Sequence, residues 1–322
     1  MDTKITVGII GSGAMGSGIA QVAATAGHTV VICDTSTTAL DKARQSLATI
    51  LQKLQDKGRI GSAADVLNRM RFTTDMPLLA PCRLIIEAIV ENPDIKKKVF
   101  ADMEKLVDED CLLATNTSSL SVTSIAAACA WPERVLGLHF FNPAPLMALV
   151  EVIPAVQTDP ALIEKARALM VQWGKTPVVA KDTPGFIVNR LARPFYGEAI
   201  RIYEEGIATP AEIDQAMIAA GGFRMGPFEL MDYIGHDVNY VVTETVFRSF
   251  FFDPRYKPSF SQKRLLEAGW LGRKSGRGFY DYANGGGRPG AAVAADTGAK
   301  IAERVIAMLI NEAADALHAG IA

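Results

Sequence analysis

The sequence predicts an α/β protein in two parts: a doubly wound parallel sheet first, then a second, all-α domain. Three observations predict this. An apolar strand runs straight into a glycine turn and a helix; further β-branched runs alternate with helices up to about residue 183; and beyond Pro184-Gly185 the periodicity is wholly helical. The chain has 322 residues, which at roughly 150 per domain suits two domains. Hydrophobic residues make up 49% and charged residues 21%, an ordinary globular balance that can bury a core without disulfide or metal staples. Lys+Arg at 33 against Asp+Glu at 35 leaves a net charge of -2, so the basic surplus that nucleic acid demands is absent.

Residues 5–10 are apolar and β-branched, as in a buried parallel strand. Gly11-Ser12-Gly13-Ala14-Met15-Gly16 follows at once, then a helical pattern over 19–26 that Gly27-His28 stops. A second strand over 29–33 ends in Asp34. A lone glycine motif is also what a tight turn looks like. In this order, with an acid about 20 residues on, it is the Rossmann-type dinucleotide-binding pattern. Gly11 makes the turn, Gly13 lets the backbone approach a pyrophosphate, and Gly16 lets helix pack on strand. Asp34 accepts from ribose hydroxyls and repels a 2'-phosphate, which favours NAD over NADP. The same glycines argue against reading the stretch from Lys4 to Ala26 as a signal peptide.

Further strands are expected over 84–88, 112–115, 135–140 and 149–153, with an amphipathic helix over 40–54 leading to Lys57-Gly58-Arg59. The sheet domain spans 1–183 and the helical domain 184–283. In the latter, Ile187, Leu191, Phe195, Ala199 and Ile202 form a stripe, Pro194 is expected to kink the helix, and Thr209-Pro210-Ala211-Glu212 is a capping box. Residues 284–322 read as a glycine-rich linker and one more amphipathic helix, which is expected to dock on the helical domain or on a partner chain. That helix echoes the first helix of the helical domain: Arg304, Glu312, Ala313, Gly320, Ile321 and Ala322 align without gaps on Arg190, Glu198, Ala199, Gly206, Ile207 and Ala208. A chance match of two amphipathic helices competes with the start of a duplicated domain.

Cys33, Cys82, Cys111 and Cys129 form no C-x-x-C pair and read as reduced thiols of a cytoplasmic protein. No run is long enough to span a membrane, and no metal-ligand motif stands out. Among the four histidines, His139 closes an apolar strand, where sheets of this type face their ligand crevice. A satisfied core histidine is the competing reading. Glu151, the one charged residue between Arg134 and Asp159, needs a partner, and an imidazole is a good one. Asn116-Thr117-Ser118-Ser119 follows another apolar strand, as crevice hydroxyls or as a helix cap.

These residues, together with Glu87-Ala88-Ile89-Val90-Glu91-Asn92, Gly137-Leu138-His139-Phe140-Phe141-Asn142-Pro143, Asp182-Thr183-Pro184-Gly185-Phe186-Ile187-Val188-Asn189-Arg190 and Leu271-Gly272-Arg273-Lys274-Ser275-Gly276, closely resemble the 3-hydroxyacyl-CoA dehydrogenase family from about Thr6 to Tyr282. The resemblance implies His139 as general base, Glu151 as its orienting partner, and Ser118 and Asn189 as substrate hydrogen-bonders in the catalytic set. It implies NAD contacts from Gly11, Ser12, Gly13, Ala14, Met15, Gly16, Asp34, Glu91, Lys96, Ser118, Asn142 and Lys274, and a coenzyme A contact from Lys57. Ala148 departs from the pattern, which usually has lysine there. An acyl-CoA substrate and a homodimer through the helical domain are implied as well.

Within the family, Ala192-Arg193-Pro194, Asp237-Val238-Asn239 and residues 246–258 are similar to the bacterial 3-hydroxyadipyl-CoA dehydrogenases of phenylacetate breakdown, with short-chain 3-hydroxybutyryl-CoA as the alternative substrate. Long members of that group carry a second helical domain, so the chain is expected to be part of a longer protein. Arg193, one turn after Asn189, is expected to read the far carboxylate of an adipyl chain, against a structural role beside Pro194 or a coenzyme contact. A β-hydroxyacid dehydrogenase is the rival enzyme class; a catalytic lysine would mark it, and the His139–Glu151 pair argues otherwise. A non-catalytic structural relative is the rival outside enzymes, and a rate assay with acetoacetyl-CoA and NADH separates it.

Overall fold

The structure is a computed structural model and describes residues 4–322. It divides into two compact units, residues 4–186 and 187–321. The first is built on one eight-stranded sheet: β1 (Thr6–Ile10), β2 (Thr29–Cys33), β3 (Met70–Thr73), β4 (Leu84–Glu87), β5 (Leu112–Thr115), β6 (Val135–Phe140), β7 (Leu149–Pro154) and β8 (Thr176–Val179), in the order β3-β2-β1-β4-β5-β6-β7-β8. Neighbours are parallel except β6 and β7, which run antiparallel. Chain order reverses on either side of β1, the switch point where such sheets open a crevice at their carboxyl ends.

Six helices serve this sheet: α1 (Ala14–Thr25), α2 (Thr37–Asp56), α3 (Ala63–Asn68), α4 (Pro93–Met103), α5 (Val122–Ala126) and α6 (Pro160–Gln172). The side chains of Ser36, Ser62, Asn92, Ser121 and Asp159 cap α2 to α6, meeting the backbone N–H groups that a helix start leaves unpaired. Val7, Ile9, Val30, Ile32, Leu84 and Ile86 share a core with Ile19 and Ala23 of α1. The four expected strands form at their expected places. Edge strands β3 and β8 were not anticipated: each has four residues, one interrupted by Arg71 and the other by Pro177, so neither shows an apolar run. His28, in the turn after α1, accepts from Ile5 N through Nδ1, a structural role. All four cysteines are buried and unpaired with one another.

The second unit is helical: α7 (Val188–Glu204), α8 (Pro210–Ala219), α9 (Pro227–Ile234), α10 (His236–Ser249), α11 (Phe260–Glu267) and α12 (Ala295–His318). Pro194 lies inside α7, which continues through it as one helix. The Thr209–Glu212 capping box forms at α8. Two buried carboxylates tie the unit together. Asp214 accepts from Phe228 N, Glu229 N and the Tyr280 hydroxyl, and Asp232 from Phe279 N, Tyr280 N and His236. The tail helix α12 belongs to this unit: Ile301, Ala302 and Val305 share a core with Ala199 and Ile202 of α7 and Ile213 and Met217 of α8. Leu317 near the end of this helix is 67% exposed, whereas Glu312 and Ala316 are buried. No helix among the described residues is long and apolar enough to cross a membrane.

Candidate active site

The antiparallel register of β6 and β7 sets His139 opposite Glu151. Their side chains meet, His139 Nδ1 to Glu151 Oε2 at 2.6 Å, with both residues buried. A carboxylate shut away from water needs a donor. Donation from Nδ1–H fixes the imidazole tautomer and leaves Nε2 as the nitrogen for chemistry. Rings flank the imidazole, Phe141 at 4.5 Å and Phe186 at 5.8 Å between centroids. Phe186 is buried at φ 49°, a region bulky residues rarely occupy. Its N–H donates to Thr183 O, and Asp182 just before accepts from Val122 N and Thr123 N at the start of α5. Sequence reasoning missed both rings; the Pro184-Gly185 punctuation was the signal closest to them.

Ser118 lies beyond the carboxyl end of β5, the strand parallel to β6, so its loop and His139 share one end of the sheet. Asn116 Oδ1 accepts from Phe140 N at 2.8 Å and ties the two strand ends together. Glu91 organises the loop: it accepts from the Thr117 hydroxyl at 2.5 Å and from Ser118 N at 2.9 Å. Burial pushes its carboxyl up, but Lys96, Thr117 and Ser118 outweigh this and hold it below the ordinary carboxylate range. Lys96, expected to contact the cofactor, is 1% exposed; its ammonium lies 2.5 Å from Glu87 and 3.3 Å from Glu91. There it neutralises the carboxylates that shape the loop.

The glycine turn fits a dinucleotide. Gly11 sits at φ +99°, and a Cβ there would lie 2.6 Å from Ala88 O; a Cβ at Gly16 would lie 1.9 Å from Gly11 O. A Cβ at Gly13 would meet nothing within 4 Å, so space lies open where a pyrophosphate would approach the start of α1. Asp34 Oδ2 accepts from Ser12 N and the Ser12 hydroxyl, both at 2.8 Å. Burial raises the Asp34 carboxyl, but its bonds from Ser36, Ser12 and Thr35 leave it below its ordinary value and ionised at neutral pH.

A cavity of about 1060 Å³ opens beside this turn, lined by Ser12, Gly13 and Asn142 at one part and by faces of α1 and α2 elsewhere. Its cations are Lys42, Arg59 and Lys175. Lys175, which sequence reasoning missed, donates to Ala144 O at 2.6 Å and Met147 O at 2.8 Å, pinning the loop that holds Asn142. Lys57 is exposed at the C-terminal cap of α2. Among the described residues, no cluster of three or more His, Cys, Asp or Glu is arranged for a metal ion.

In the second unit, Asn189 stands in the first turn of α7, and Lys274 pairs with Asp237 at 2.5 Å. Arg193 lies in the interior of the helical unit. It is 6% exposed and its guanidinium donates to Asn189 O, Asn239 O and the Thr243 hydroxyl while lying over the Tyr196 ring. The turn that follows Asn189 points Arg193 into the interior, where it joins α7 to α10. Burial pulls its guanidinium below its ordinary pKa.

A dinucleotide-type sheet with a histidine–carboxylate pair at its crevice defines an oxidoreductase class, and comparison with known proteins places the chain within it. Residues 6–183 match the 3-hydroxyacyl-CoA dehydrogenase NAD binding domain, and residues 185–282 match the C-terminal domain of the same family. The chain belongs to the 3-hydroxyacyl-CoA dehydrogenase family. It is 47% identical over 279 residues to 3-hydroxyadipyl-CoA dehydrogenase of Escherichia coli, covering 86% of this chain and 59% of that protein. It is 42% identical over 276 residues to a probable 3-hydroxybutyryl-CoA dehydrogenase of Deinococcus radiodurans, covering 85% of this chain and 99% of that one. A crystal structure of 3-hydroxybutyryl-CoA dehydrogenase from Escherichia coli K12 superposes with TM-score 0.87 at 45% identity, over 90% of this chain and 61% of that one. The chain thus spans about three fifths of two of these relatives, and α12 lies outside both family matches.

Proposed function

We propose that the protein oxidises a (S)-3-hydroxyacyl-CoA to the 3-oxoacyl-CoA with NAD. The buried His139–Glu151 pair at the crevice end of the sheet carries this reading. NAD, held at the glycine turn and Asp34, would supply the acceptor for the hydride of carbon 3. His139 Nε2 takes the proton of the 3-hydroxyl, and Glu151 stabilises the imidazolium that results. Glu91 holds the Ser118 loop, whose hydroxyl hydrogen-bonds the oxygen being oxidised. Gly11, Ser12, Gly13, Ala14, Met15 and Gly16 cradle the pyrophosphate, Asp34 takes the adenine ribose, and Asn142 lines the space beside the turn. The roles of Asn189 and Lys274 rest on the family match, and so does a Lys57 contact with the coenzyme. The cavity between α1 and α2, with Lys42 and Arg59, suits the long arm of an acyl-CoA.

The substrate we favour is 3-hydroxyadipyl-CoA, in phenylacetate breakdown, on the 47% identity to a protein of that name. The cytoplasm is the proposed setting, supported by four unpaired cysteines. A homodimer through the helical unit, also implied by the family, has to contend with α12, which packs on α7 and α8. NAD reduction with 3-hydroxybutyryl-CoA and 3-hydroxyadipyl-CoA tests the substrate reading. A higher kcat/KM on the adipyl substrate supports it, and a preference for the butyryl substrate replaces it with the short-chain reading.

A further inference from the structure

Glu87 closes β4, a strand that is otherwise Leu84, Ile85 and Ile86. The register sets it between Ile10 of β1 and Thr115 of β5, at the switch point of the sheet. It is 0% exposed. Its Oε1 accepts from Lys96 Nζ at 2.5 Å and Ile89 N at 2.8 Å, and its Oε2 from the Thr115 hydroxyl at 2.8 Å. No step of the proposed oxidation uses this carboxylate, yet a charge shut away from water at such a place is costly unless it serves something.

Two paths lead from Glu87 to the Ser118 loop. Thr115 Oγ1 accepts from Thr117 N at 3.2 Å. Lys96 Nζ also reaches Glu91 at 3.3 Å, and Glu91 accepts from the Thr117 hydroxyl and from Ser118 N. One ammonium thus faces two carboxylates. Glu87 and Lys96 sum to zero wherever their shared proton sits, so the cluster keeps one negative charge, that of Glu91. Without the charge of Glu87, Lys96 would belong to Glu91 alone and the cluster would be neutral. Glu87 therefore decides the charge beside Ser118 without its side chain touching that residue.

A nicotinamide ring senses such a charge, because the ring of NAD⁺ is a cation and the ring of NADH is neutral. The proposed oxidation brings the hydride acceptor to carbon 3, whose oxygen meets the Ser118 hydroxyl; Glu91 Oε1 lies 3.4 Å from that hydroxyl oxygen. We propose that Glu87 is a positioning residue: by engaging Lys96 it leaves Glu91 its negative charge, and that charge favours NAD⁺ over NADH at this end of the sheet. The inference rests on the NAD-dependent reaction proposed above. By linkage, whatever tightens NAD⁺ relative to NADH makes the bound NADH a stronger hydride donor by the same factor.

Titration of the full chain with NADH, read by fluorescence, and competition by NAD⁺ test this on the wild type, Glu87→Gln and Thr115→Val. Glu87→Gln keeps the volume and removes the charge. Its Kd for NAD⁺ should rise about ten-fold while its Kd for NADH stays within about two-fold of the wild type. Thr115→Val removes a hydrogen bond to the same carboxylate and leaves the charge, so the ratio of the two Kd values should match the wild type. Glu91→Gln makes the same change of charge at the partly exposed end of the cluster. It should shift the ratio in the same direction, and it covers the case in which Glu87→Gln does not fold. Equal weakening of both nucleotides in Glu87→Gln, an unchanged ratio in either folded glutamine variant, or a shifted ratio in Thr115→Val would overturn the proposal and leave the NAD-dependent reading standing. A wild type that binds neither nucleotide would overturn that reading, and the proposal with it.

Discussion

His139 and Glu151 were legible because each is an anomaly in an apolar strand, and a buried charge must find a partner. What the residues could not reveal was that β7 runs antiparallel to β6, which sets the two side chains opposite each other. Phe141, Phe186 and Lys175 went unread because their roles depend on long-range placement, and apolar rings near a turn carry no chemical signature. Glu151→Gln keeps the volume and loses the charge that supports an imidazolium. Its kcat should fall by roughly 10-fold to 100-fold while NADH affinity, read by fluorescence titration, is unchanged; an unaltered kcat would separate the two residues. Asp34→Ala removes both the repulsion of a 2'-phosphate and the bonds to Ser12. Steady-state kinetics should show the NAD to NADP ratio of kcat/KM narrowing by about ten-fold, mainly through weaker NAD binding. Arg193→Ala should cost about 2–3 kcal/mol of stability through its lost charged hydrogen bonds. Because the guanidinium is interior, denaturant titration should register that loss, and adipyl and butyryl substrates should be affected alike. A loss confined to the adipyl substrate would restore Arg193 to the substrate site.

The glycine turn between strand and helix was readable as an element because its spacing is local. Edge strands β3 and β8 were not, since four residues with Arg71 or Pro177 among them show no period. The tail helix was recognisable as amphipathic, yet its buried face turned on Glu312, a residue hydrophobicity places outside. Asp214 gives the helical unit a pH dependence. Burial pushes its carboxyl up from 3.8 to about 6, against the bonds from Phe228 N, Tyr280 and Glu229 N. The folded chain therefore keeps a proton there that the unfolded chain has lost. Between 3.8 and about 6 this group's contribution to stability falls as pH rises, and above about 6 it is constant. Asp214→Asn removes the titration. Across that window the wild-type melting temperature should decline relative to the variant, as calorimetry would show; parallel curves would assign Asp214 an ordinary pKa.

At the scale of the molecule, a sheet that gathers strand ends, a glycine turn open toward solvent and the His139–Glu151 pair at one strand end together support the proposed reaction. The division into a sheet unit and a helical unit followed from a change of period at Pro184-Gly185, and the structure divides at Phe186 and Ile187. Substrate choice was less legible, since the arginine assigned to it packs inside the helical unit. The most direct test of the account is NADH-dependent reduction of acetoacetyl-CoA by the purified chain and by its His139→Ala variant, with NADH binding measured on both. The account predicts turnover by the wild type and a kcat lower by about 10²–10⁴-fold in the variant, with NADH still bound. A folded, NADH-binding wild type that reduces no 3-oxoacyl-CoA, or a variant as fast as the wild type, would contradict it.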